Sequence, residues 1–217
     1  LATWKNKMDK KHLTFWQEDI TAEQTRKWLD NPLSPSKNYV AQYIKESKNF
    51  ESLLDAGAGI CALYKLLKKQ GVSVKYTATE ITEKFVKIGK LNNLEIHESP
   101  IQKMPFSDNS FDIVACIDVM THQKEFKDSI TELVRVAKKE VLISFFKPFL
   151  EQQSAQLELQ QSASKFKIQE IPNVGMCVER HDKFIYTYFS GWHVENFLIE
   201  NGYKHKFFQI PDGTVFL

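Results

Sequence analysis

The chain has 217 residues, of which 42% are hydrophobic, 26% charged and 12% aromatic. This length and composition fit one globular domain and exclude a disordered or fibrous protein. Lysine and arginine number 29 against 27 aspartate and glutamate, a net charge of +2. No broad field of one sign is therefore expected, and we predict neither nucleic acid nor a membrane as a partner.

The three cysteines, Cys61, Cys116 and Cys177, are far apart in the sequence, and none belongs to a CxxC pair. None stands near a histidine at the spacing of a metal site. We therefore expect a reducing, cytoplasmic location and no bound metal. Because the sequence starts at Leu1 rather than a methionine, we also expect the chain to be part of a longer polypeptide, with further domains of that polypeptide as partners.

The alternation of elements along the chain predicts an α/β fold. Residues 21–29 and 36–48 are predicted to be helices, the first opened by a capping box at Thr21–Gln24. The strands predicted after them are 52–55, 73–79, 94–98, 111–117 and 141–146, and the helices between these strands are 62–70, 82–91 and 124–138. Strands that alternate with helices in this way form a parallel sheet covered on both faces.

The end of the chain departs from this alternation. A predicted helix over 191–201 leads into a strand over 203–210, a turn at Pro211-Asp212-Gly213 and a last strand over 214–217. Proline and glycine at such a turn reverse the chain tightly, so the last two strands are predicted to form an antiparallel hairpin. The expected fold class is a doubly wound, mostly parallel, seven-stranded sheet with an antiparallel C-terminal hairpin strand.

A glycine-rich turn, Asp55-Ala56-Gly57-Ala58-Gly59-Ile60-Cys61-Ala62, joins the strand 52–55 to the next helix. Gly57 and Gly59 allow the backbone to turn sharply and lie against a ligand at the helix N-terminus. Glu80 ends the following strand about 20 residues later, where an acid accepts the hydroxyls of a ribose. The pattern indicates a cofactor that contains adenosine, either NAD or S-adenosylmethionine.

The charge of Asp55 favours the second cofactor. A carboxylate two residues before the first glycine would repel the pyrophosphate of a dinucleotide. The same carboxylate would attract the cationic amino-acid tail of S-adenosylmethionine. We therefore predict S-adenosylmethionine, with S-adenosylhomocysteine as the product.

Three segments together resemble the class I S-adenosylmethionine-dependent methyltransferases. They are Leu53–Gly59, Glu80 and Met104–Val114, and the most specific string is Pro-Phe-Ser-Asp-Asn-Ser-Phe-Asp within the last segment. The chain is most similar to the small members of this family that methylate metabolites, quinones and sugars. The resemblance implies a Rossmann-like fold and a methyltransferase activity.

The resemblance also implies which residues bind the cofactor. They are Asp55, Gly57, Ala58 and Gly59 for the methionine part, Glu80 for the ribose, Ile81 for one face of the adenine, and Pro100 and Ile101 for the adenine edge. The chain departs from the family pattern at Cys61, where a third glycine is usual, and at Pro100, where an aspartate commonly binds the adenine amino group. Adenine is therefore expected to be bound largely by backbone groups such as the Ile101 N–H.

Two residues after the strand 111–117 are candidates for catalysis. His122 is predicted to be the general base, because an imidazole can take a hydroxyl proton near neutral pH. Asp118 is predicted to bind the amino end of the cofactor or to orient the methyl acceptor. His193, which follows Ser190-Gly191-Trp192, is a second candidate on the substrate side.

The domain organisation that we expect is a single methyltransferase domain over 1–217. It comprises an N-terminal helical lid at 1–48, a cofactor-binding core at 49–147, a substrate-side insertion at 148–190, and a C-terminal helix and β-hairpin at 191–217. Within the insertion we expect a helix over 151–165, followed by an irregular or β segment. Trp16 and Tyr39 belong to a group of aromatic residues in the lid that is expected to contact the substrate.

The preferred reaction is O-methylation of a small hydroxylated acceptor such as a sugar or glycan hydroxyl. N-methylation or C-methylation of a small metabolite is the first alternative. An NAD-dependent reductase shares the glycine turn and the acid, and it is an alternative of another class. A non-catalytic domain that binds the cofactor is the remaining alternative, and the departures at Cys61 and Pro100 are the features that favour it.

Overall fold

The computed structural model describes residues 34–145, 167–179, 185–212 and 214–217. Two compact units divide these residues. The first comprises the described residues up to Ile117 together with Asp128–Ile143, and the second comprises Asp118–Lys127 and the described residues from Ser144 onward. The predicted helices 21–29 and 151–165 lie outside the described residues.

A parallel sheet with the strand order β3-β2-β1-β4-β5 is the centre of the first unit. The elements are, in chain order, α1 (Pro35–Ser47), β1 (Ser52–Ala56), α2 (Ala62–Lys69), β2 (Lys75–Glu80), α3 (Glu83–Leu91), β3 (Glu95–Glu98), β4 (Phe111–Cys116), α4 (Lys127–Val136) and β5 (Ala137–Phe145). Leu53 and Leu54 of β1 pair with Ile113 and Val114 of β4, and all four are fully buried. Strands that are buried on both faces explain the nearly continuous apolar runs in the sequence.

The second unit contains a smaller antiparallel sheet in the order β6-β7-β8. Its elements are a 3-10 helix (Met120–His122), β6 (Lys167–Ile171), β7 (Gly175–Glu179), β8 (Ile185–Phe189), α5 (Gly191–Glu200), β9 (Phe208–Gln209) and β10 (Val215–Phe216). Phe126 packs edge-on against Phe189 and Phe197, with ring centroids 5.7 and 5.6 Å away. The β segment that was expected in the insertion is therefore this three-stranded sheet.

The C-terminal strands complete a seven-stranded sheet in the order β3-β2-β1-β4-β5-β10-β9. Val215 and Phe216 of β10 pair antiparallel with Phe145 and Ser144, the last two residues of β5. The same two residues pair antiparallel with β9. The predicted fold class is confirmed: an α/β, mostly parallel, seven-stranded sheet of Rossmann-like type that ends in an antiparallel hairpin.

Three predicted elements have other boundaries in the structure. The helix predicted over 124–138 is α4, Lys127–Val136, and β5 begins at Ala137 rather than at residue 141. Ala137 already pairs with Phe111 of β4, so sheet pairing overrides the helical preference of the two lysines that follow. The strand predicted over 203–210 is reduced to Phe208–Gln209, because only these two residues pair with β10.

Candidate functional site

The glycine-rich turn is held against the end of β2 by backbone hydrogen bonds. The N–H groups of Gly57 and Ala58 both donate to the Thr79 carbonyl at 2.9 Å. Gly57 has φ 78 and Gly59 has φ 55, so both occupy the left-handed region that glycine adopts without steric cost. The turn leads into α2 within a few residues, and it therefore has the shape expected of a loop that lies against a ligand.

Cys61 occupies the N-cap of α2 with φ 60, also in the left-handed region. A side chain at such a position costs on the order of 1 kcal/mol relative to glycine. Cys61, which stands where the family pattern usually has a third glycine, thus has a backbone conformation that favours glycine. The Cys61 N–H donates to the Ala58 carbonyl at 2.9 Å, and this bond tightens the turn.

Glu80 is buried at the carboxyl end of β2 and is oriented by backbone donors. Its Oε2 accepts the Gly59 N–H at 2.8 Å, and its Oε1 accepts the N–H groups of Ile81 and Thr82 at 2.8 Å each. Burial raises the pKa of this carboxyl above its usual value, and these hydrogen bonds oppose the rise. The carboxylate is therefore fixed in position beside the glycine turn, where it can accept further hydroxyl donors.

Asp55 is buried at the other side of the turn, and it has a partner that the sequence did not reveal. The Tyr76 hydroxyl donates to Asp55 Oδ2 at 2.6 Å across the β1–β2 pair. Burial, and then the Asp55 charge, raise the pKa of Tyr76 well above its usual value, so this phenol stays protonated. Burial also raises the pKa of Cys61 to about 12. Asp55 is therefore the negative group of a small buried cluster in which the side chains of Tyr76 and Cys61 are neutral.

The segment after β3 forms a buried turn beside Glu80. The Ser99 N–H donates to the Glu80 carbonyl at 3.0 Å, and the Lys103 N–H donates to the Pro100 carbonyl at 3.2 Å. Ser99 and Ile101 are buried, and the Ser99 Oγ has no hydrogen-bond partner within the described part of the chain. A buried polar atom without a partner is uncommon, and it fits a site in which a ligand supplies that partner.

Asp118 follows β4 by two residues and belongs to the second unit. Its φ of 61 is unusual for a residue with a side chain. Its N–H donates to the Ser144 hydroxyl at 2.7 Å, and that hydroxyl lies 3.5 Å from Asp118 Oδ1. The strained backbone is therefore stabilised by a residue of β5, and the Asp118 side chain is exposed.

His122 ends the 3-10 helix and contacts β8. Its Nδ1 lies 3.0 Å from the Ile185 carbonyl, and its ring centroid lies 5.8 Å from that of Tyr186. Because a carbonyl oxygen only accepts hydrogen bonds, Nδ1 carries the proton and Nε2 carries the lone pair of the neutral ring. Burial lowers the pKa of His122, while the Ile185 carbonyl and the Asp118 charge oppose this effect. The imidazole is thus neutral at physiological pH.

Of the three residues expected to contact substrate, Tyr39 belongs to the first unit and His193 to the second. Trp16 lies outside the described residues. Tyr39 stacks on Tyr43 in α1, with ring centroids 6.3 Å apart, and the Tyr43 hydroxyl donates to Glu140 at 2.6 Å. His193 lies at the start of α5, in the second unit, with its ring 4.8 Å from that of Trp192.

Comparison with known proteins finds a family that is similar to the central part of the chain. Residues 54–145 match the model of a family described as a methyltransferase domain. This stretch contains the glycine turn, Glu80, the turn at Ser99–Ile101 and the segment Met104–Val114. The matched stretch is about two fifths of the chain, and over it the chain is similar to a family of methyltransferase enzymes. This similarity favours S-adenosylmethionine over NAD as the cofactor.

Relatives and solved structures share parts of this arrangement. An uncharacterized protein of Methanocaldococcus jannaschii is 32% identical over 93 residues, which are 43% of this chain and 39% of that protein. The chain therefore spans about two fifths of the length of this relative. A solved structure of a protein from Pyrococcus horikoshii OT3 has a TM-score of 0.62 at 18% identity, with 84% of this chain and 87% of that chain covered.

A second solved structure is similar in fold and carries a ligand. It is the magnesium protoporphyrin IX methyltransferase of Synechocystis PCC 6803 with bound SAH, or S-adenosylhomocysteine. Its TM-score is 0.58 at 15% identity, with 84% of this chain and 80% of that chain covered. In the present chain, no helix among the described residues has the length and apolar character needed to cross a membrane.

Sequence reasoning missed two contributors to the site. Tyr76 and the Ile185 carbonyl each act through a partner that is distant in the sequence. For Tyr76 there was a signal, because a tyrosine inside a strand next to a buried aspartate needs a hydrogen-bond partner for its hydroxyl. For Ile185 no signal existed, since any residue supplies a backbone carbonyl.

Proposed function

We propose that this chain transfers the methyl group of S-adenosylmethionine to an oxygen atom of a small hydroxylated acceptor. A sugar or glycan hydroxyl is the preferred acceptor class. The family supports the donor, and one observation supports the acceptor chemistry. That observation is the hydrogen bond from His122 Nδ1 to the Ile185 carbonyl, 3.0 Å long.

In this proposal the first unit holds the cofactor. The Asp55 carboxylate binds the ammonium group of the methionine part, and Tyr76 holds that carboxylate in its orientation. Glu80 accepts the ribose hydroxyls, because its carboxylate is already positioned by the N–H of Gly59. Gly57 and Ala58 carry the turn against the methionine part, and Ile81 covers one face of the adenine. The bound cofactor supplies an electrophilic methyl group on a sulfonium sulfur.

His122 is proposed as the base that removes the acceptor proton. An alcohol is a poor nucleophile while it keeps its proton, so its methylation benefits from a base, whereas a neutral amine already has a lone pair. The bond to Ile185 places the lone pair of His122 on Nε2, the form that accepts a proton. The lowered pKa keeps the ring neutral at physiological pH. A neutral imidazole with its lone pair on Nε2 therefore favours a hydroxyl acceptor over an amine.

Asp118 is proposed to orient the acceptor or to bind the amino end of the cofactor. Its position two residues after β4, its exposed side chain and its φ of 61 support such a role. Strained non-glycine residues concentrate at functional sites. The Asp118 charge also opposes the fall in the pKa of His122, so the two side chains interact electrostatically.

Trp192 and His193 support a sugar as the acceptor class. Trp192 is 65% exposed, which is unusual for so large an apolar side chain, and its ring lies 4.8 Å from that of His193. An exposed indole offers a flat apolar face together with one hydrogen-bond donor. A sugar ring, with C–H groups on its face and hydroxyls at its edge, complements such a pair.

The test is an acceptor panel with S-adenosylmethionine that carries a labelled methyl group. Three classes of acceptor are compared: deoxysugars and glycans, small primary amines, and activated carbon acids. We expect labelled product from hydroxylated acceptors only, with S-adenosylhomocysteine formed in equal amount. Transfer to amines or carbon acids alone would replace the proposal by the N- or C-methyltransferase alternative. Binding of S-adenosylhomocysteine without transfer to any class would support a non-catalytic binding domain.

The pH dependence of the same reaction tests the base. Transfer requires the neutral imidazole of His122, whose pKa is lowered below the usual value near 6.5. The rate is therefore expected to stay constant as the pH decreases from 8 toward that value and to fall only below it. A rate that already declines with decreasing pH well above 6.5 would argue against His122 as the base.

A further inference from the structure

The first three helices of the described chain carry a surplus of positive charge. Seven exposed lysines lie in or directly after α1, α2 and α3, among them Lys68, Lys69, Lys87 and Lys90. The same helices, which the structure describes completely, carry two exposed acidic residues, Glu46 and Glu83. The small net charge of the chain, from which we expected no membrane partner, is therefore an average over an uneven distribution.

These three helices cover the same face of the parallel sheet. The connections from β1 to β2 and from β2 to β3 cross the sheet in the same direction, so right-handed crossovers place α2 and α3 on one face. The helix α1 packs against α2. The connection from β4 to β5 runs in the opposite direction, which places α4 on the other face, and α4 has two basic and two acidic side chains. The exposed surface of α1, α2 and α3 is called the basic face below.

An apolar side chain projects from the basic face. Leu91, the last residue of α3, is 83% exposed, which is the highest value among the large apolar side chains of the described residues. The buried side of the same helix is already formed by Phe85 and Val86, so Leu91 adds nothing to the core. Lys87 and Lys90 are its neighbours on the helix, one turn and one residue earlier. A leucine that projects among lysines is typical of surfaces that contact a charged layer with an apolar layer beneath it.

The residue types favour a lipid surface over other anionic partners. The three helices contain no arginine, the residue that nucleic-acid sites and protein interfaces prefer for its bidentate hydrogen bonds. The ring of Tyr64 in α2 stacks with Tyr76 at 5.0 Å and with the Lys68 ammonium at 5.4 Å, so it is not presented to a nucleobase. Lysines attract anionic lipid headgroups without a fixed geometry, since the attraction is to the potential of the whole surface.

We propose that the basic face binds the surface of a membrane that contains anionic lipids. Its lysines lie at the headgroups, and Leu91 inserts between them. The ion pair of Lys87 with Glu83, 2.7 Å long, reduces the positive charge of α3 but leaves Lys90 and the lysines of α2 in place. The proposal is independent of the methyl acceptor, because none of these residues belongs to the glycine turn or is Glu80 or His122.

Sedimentation with lipid vesicles tests the proposal. Phosphatidylcholine vesicles are compared with vesicles in which part of the lipid is phosphatidylglycerol, which carries a negative charge. The unmodified chain is expected to bind the anionic vesicles at least about tenfold more tightly. Raising the salt concentration from about 0.1 M to about 0.5 M should release most of the bound protein, because salt screens the attraction of the lysines.

A matched pair of variants locates the binding surface. Each removes four positive charges from exposed positions and so gives the same net charge. The first variant neutralises the basic face: Lys68→Gln, Lys69→Gln, Lys87→Gln and Lys90→Gln. The control neutralises lysines outside α1, α2 and α3: Lys138→Gln, Lys167→Gln, Lys204→Gln and Lys206→Gln. At low salt the first variant should lose at least about tenfold in vesicle affinity, and the control less than about threefold.

Leu91 provides a readout that leaves the lysines unchanged. Leu91→Ser should weaken binding about three- to tenfold at low and at high salt, because it removes an apolar contact that salt does not screen. An environment-sensitive dye on Leu91→Cys should brighten and emit at shorter wavelength when anionic vesicles are added. The same dye on Lys204→Cys should respond little. These measurements decide the question if the melting temperature shows that the fourfold lysine variant is unfolded.

Three results would overturn the proposal. The first is no preference of the unmodified chain for anionic vesicles. The second is an equal loss of affinity in the folded fourfold variant and in its control, which would show an effect of net charge alone. The third is tighter binding to duplex DNA or to polyglutamate than to the vesicles, which would assign the basic face to nucleic acid or to an acidic protein.

Discussion

The proposed cofactor side and the proposed acceptor side of this protein are assembled in different ways. In the first unit, the Glu80 carboxylate accepts the N–H groups of Gly59 and Thr82, which lie 21 and 2 residues away in the sequence. In the second unit, His122 depends on Ile185, which is 63 residues later in the chain. A local arrangement of this kind appears as a sequence motif, whereas an arrangement built from distant segments does not. The two sides should therefore respond differently to substitution.

The largest effect is expected for His122→Gln. This substitution tests whether methyl transfer can be lost while cofactor binding is retained. Glutamine keeps a polar side chain but cannot act as a base near neutral pH, so kcat should fall by about 100- to 10,000-fold. The Kd for S-adenosylhomocysteine should change less than twofold, because the cofactor is proposed to bind to the first unit. Rate assays and isothermal titration measure the two quantities.

His193→Gln is the matched control for this substitution, and it should reduce kcat by less than tenfold. Equal losses of kcat in the two variants would contradict the assignment of His122 as the base. A large loss of cofactor affinity in His122→Gln would show that the two sides are not separable.

A loss of cofactor affinity is expected for Glu80→Gln. The amide keeps the size of the side chain but removes the charge, and hydrogen bonds to a charged group contribute about 1.5–3 kcal/mol, so the Kd should rise by about 10- to 100-fold. Glu95→Gln, at the exposed start of β3, is the control and should bind normally. An unchanged Kd in Glu80→Gln would contradict the proposal that Glu80 binds the ribose of the cofactor.

The pH dependence of binding sharpens the same test. Burial raises the pKa of Glu80, so the carboxylate is lost at a higher pH than an exposed glutamate would be. The affinity of the unmodified chain for S-adenosylhomocysteine should therefore be complete well above that pKa and decrease as the pH falls through it. Glu80→Gln should lack this dependence. Titrations at a series of pH values between 4 and 8 would reveal the difference.

A moderate effect is expected for Tyr76→Phe. The substitution removes the hydroxyl that donates to Asp55 at 2.6 Å and leaves a buried carboxylate with one donor fewer. The free energy of unfolding should fall by about 1–3 kcal/mol, and cofactor affinity should weaken a few-fold. Thermal unfolding with and without S-adenosylhomocysteine measures both changes. Tyr64→Phe, whose ring lies 5.0 Å from that of Tyr76, is the control, and equal effects in the two variants would refute the role of the hydroxyl.

The smallest effect is expected for Tyr43→Phe. The Tyr43 hydroxyl is bonded to Glu140, which pairs with Ile113 near the amino end of the sheet, whereas Glu80 ends β2 at the carboxyl end. This bond raises the pKa of Tyr43 to about 12 and lies at the surface. The free energy of unfolding should decrease by less than about 1 kcal/mol, and kcat and cofactor affinity should not change. A decrease in kcat with intact folding would instead favour a substrate role for α1.

The fold, and the position of Glu80 beside the glycine turn, were largely predictable from the sequence for a common physical reason. Strand and helix periodicity is local, and the spacing between Gly57 and Glu80 is set by one β-α-β unit. The start of β5 at Ala137 was not predictable, because it depends on pairing with Phe111 rather than on local preference. The short β9 has the same explanation, since its length is set by β10.

The remaining parts of the site depend on contacts that no spacing encodes. The sequence contains seventeen serines and threonines between residues 21 and 144, and nothing in their spacing distinguishes Ser99, which the structure buries directly after β3. In the same way, the tautomer of His122 follows from a carbonyl of β8. The assignments of Asp55, Glu80, His122, Asp118 and His193 all remain predictions, and the substitutions of Glu80, His122 and His193 above test three of them.

The burial of the cysteines has a practical consequence for labelling. All three are buried and none is part of a disulfide bond, and burial raises the pKa of Cys61 to about 12 and the pKa of Cys177 above its usual value. Maleimides and iodoacetamides react with the thiolate form, which these two residues scarcely populate at neutral pH. A cysteine introduced at an exposed position such as Leu91 should thus take up a fluorophore selectively, without prior removal of the native thiols.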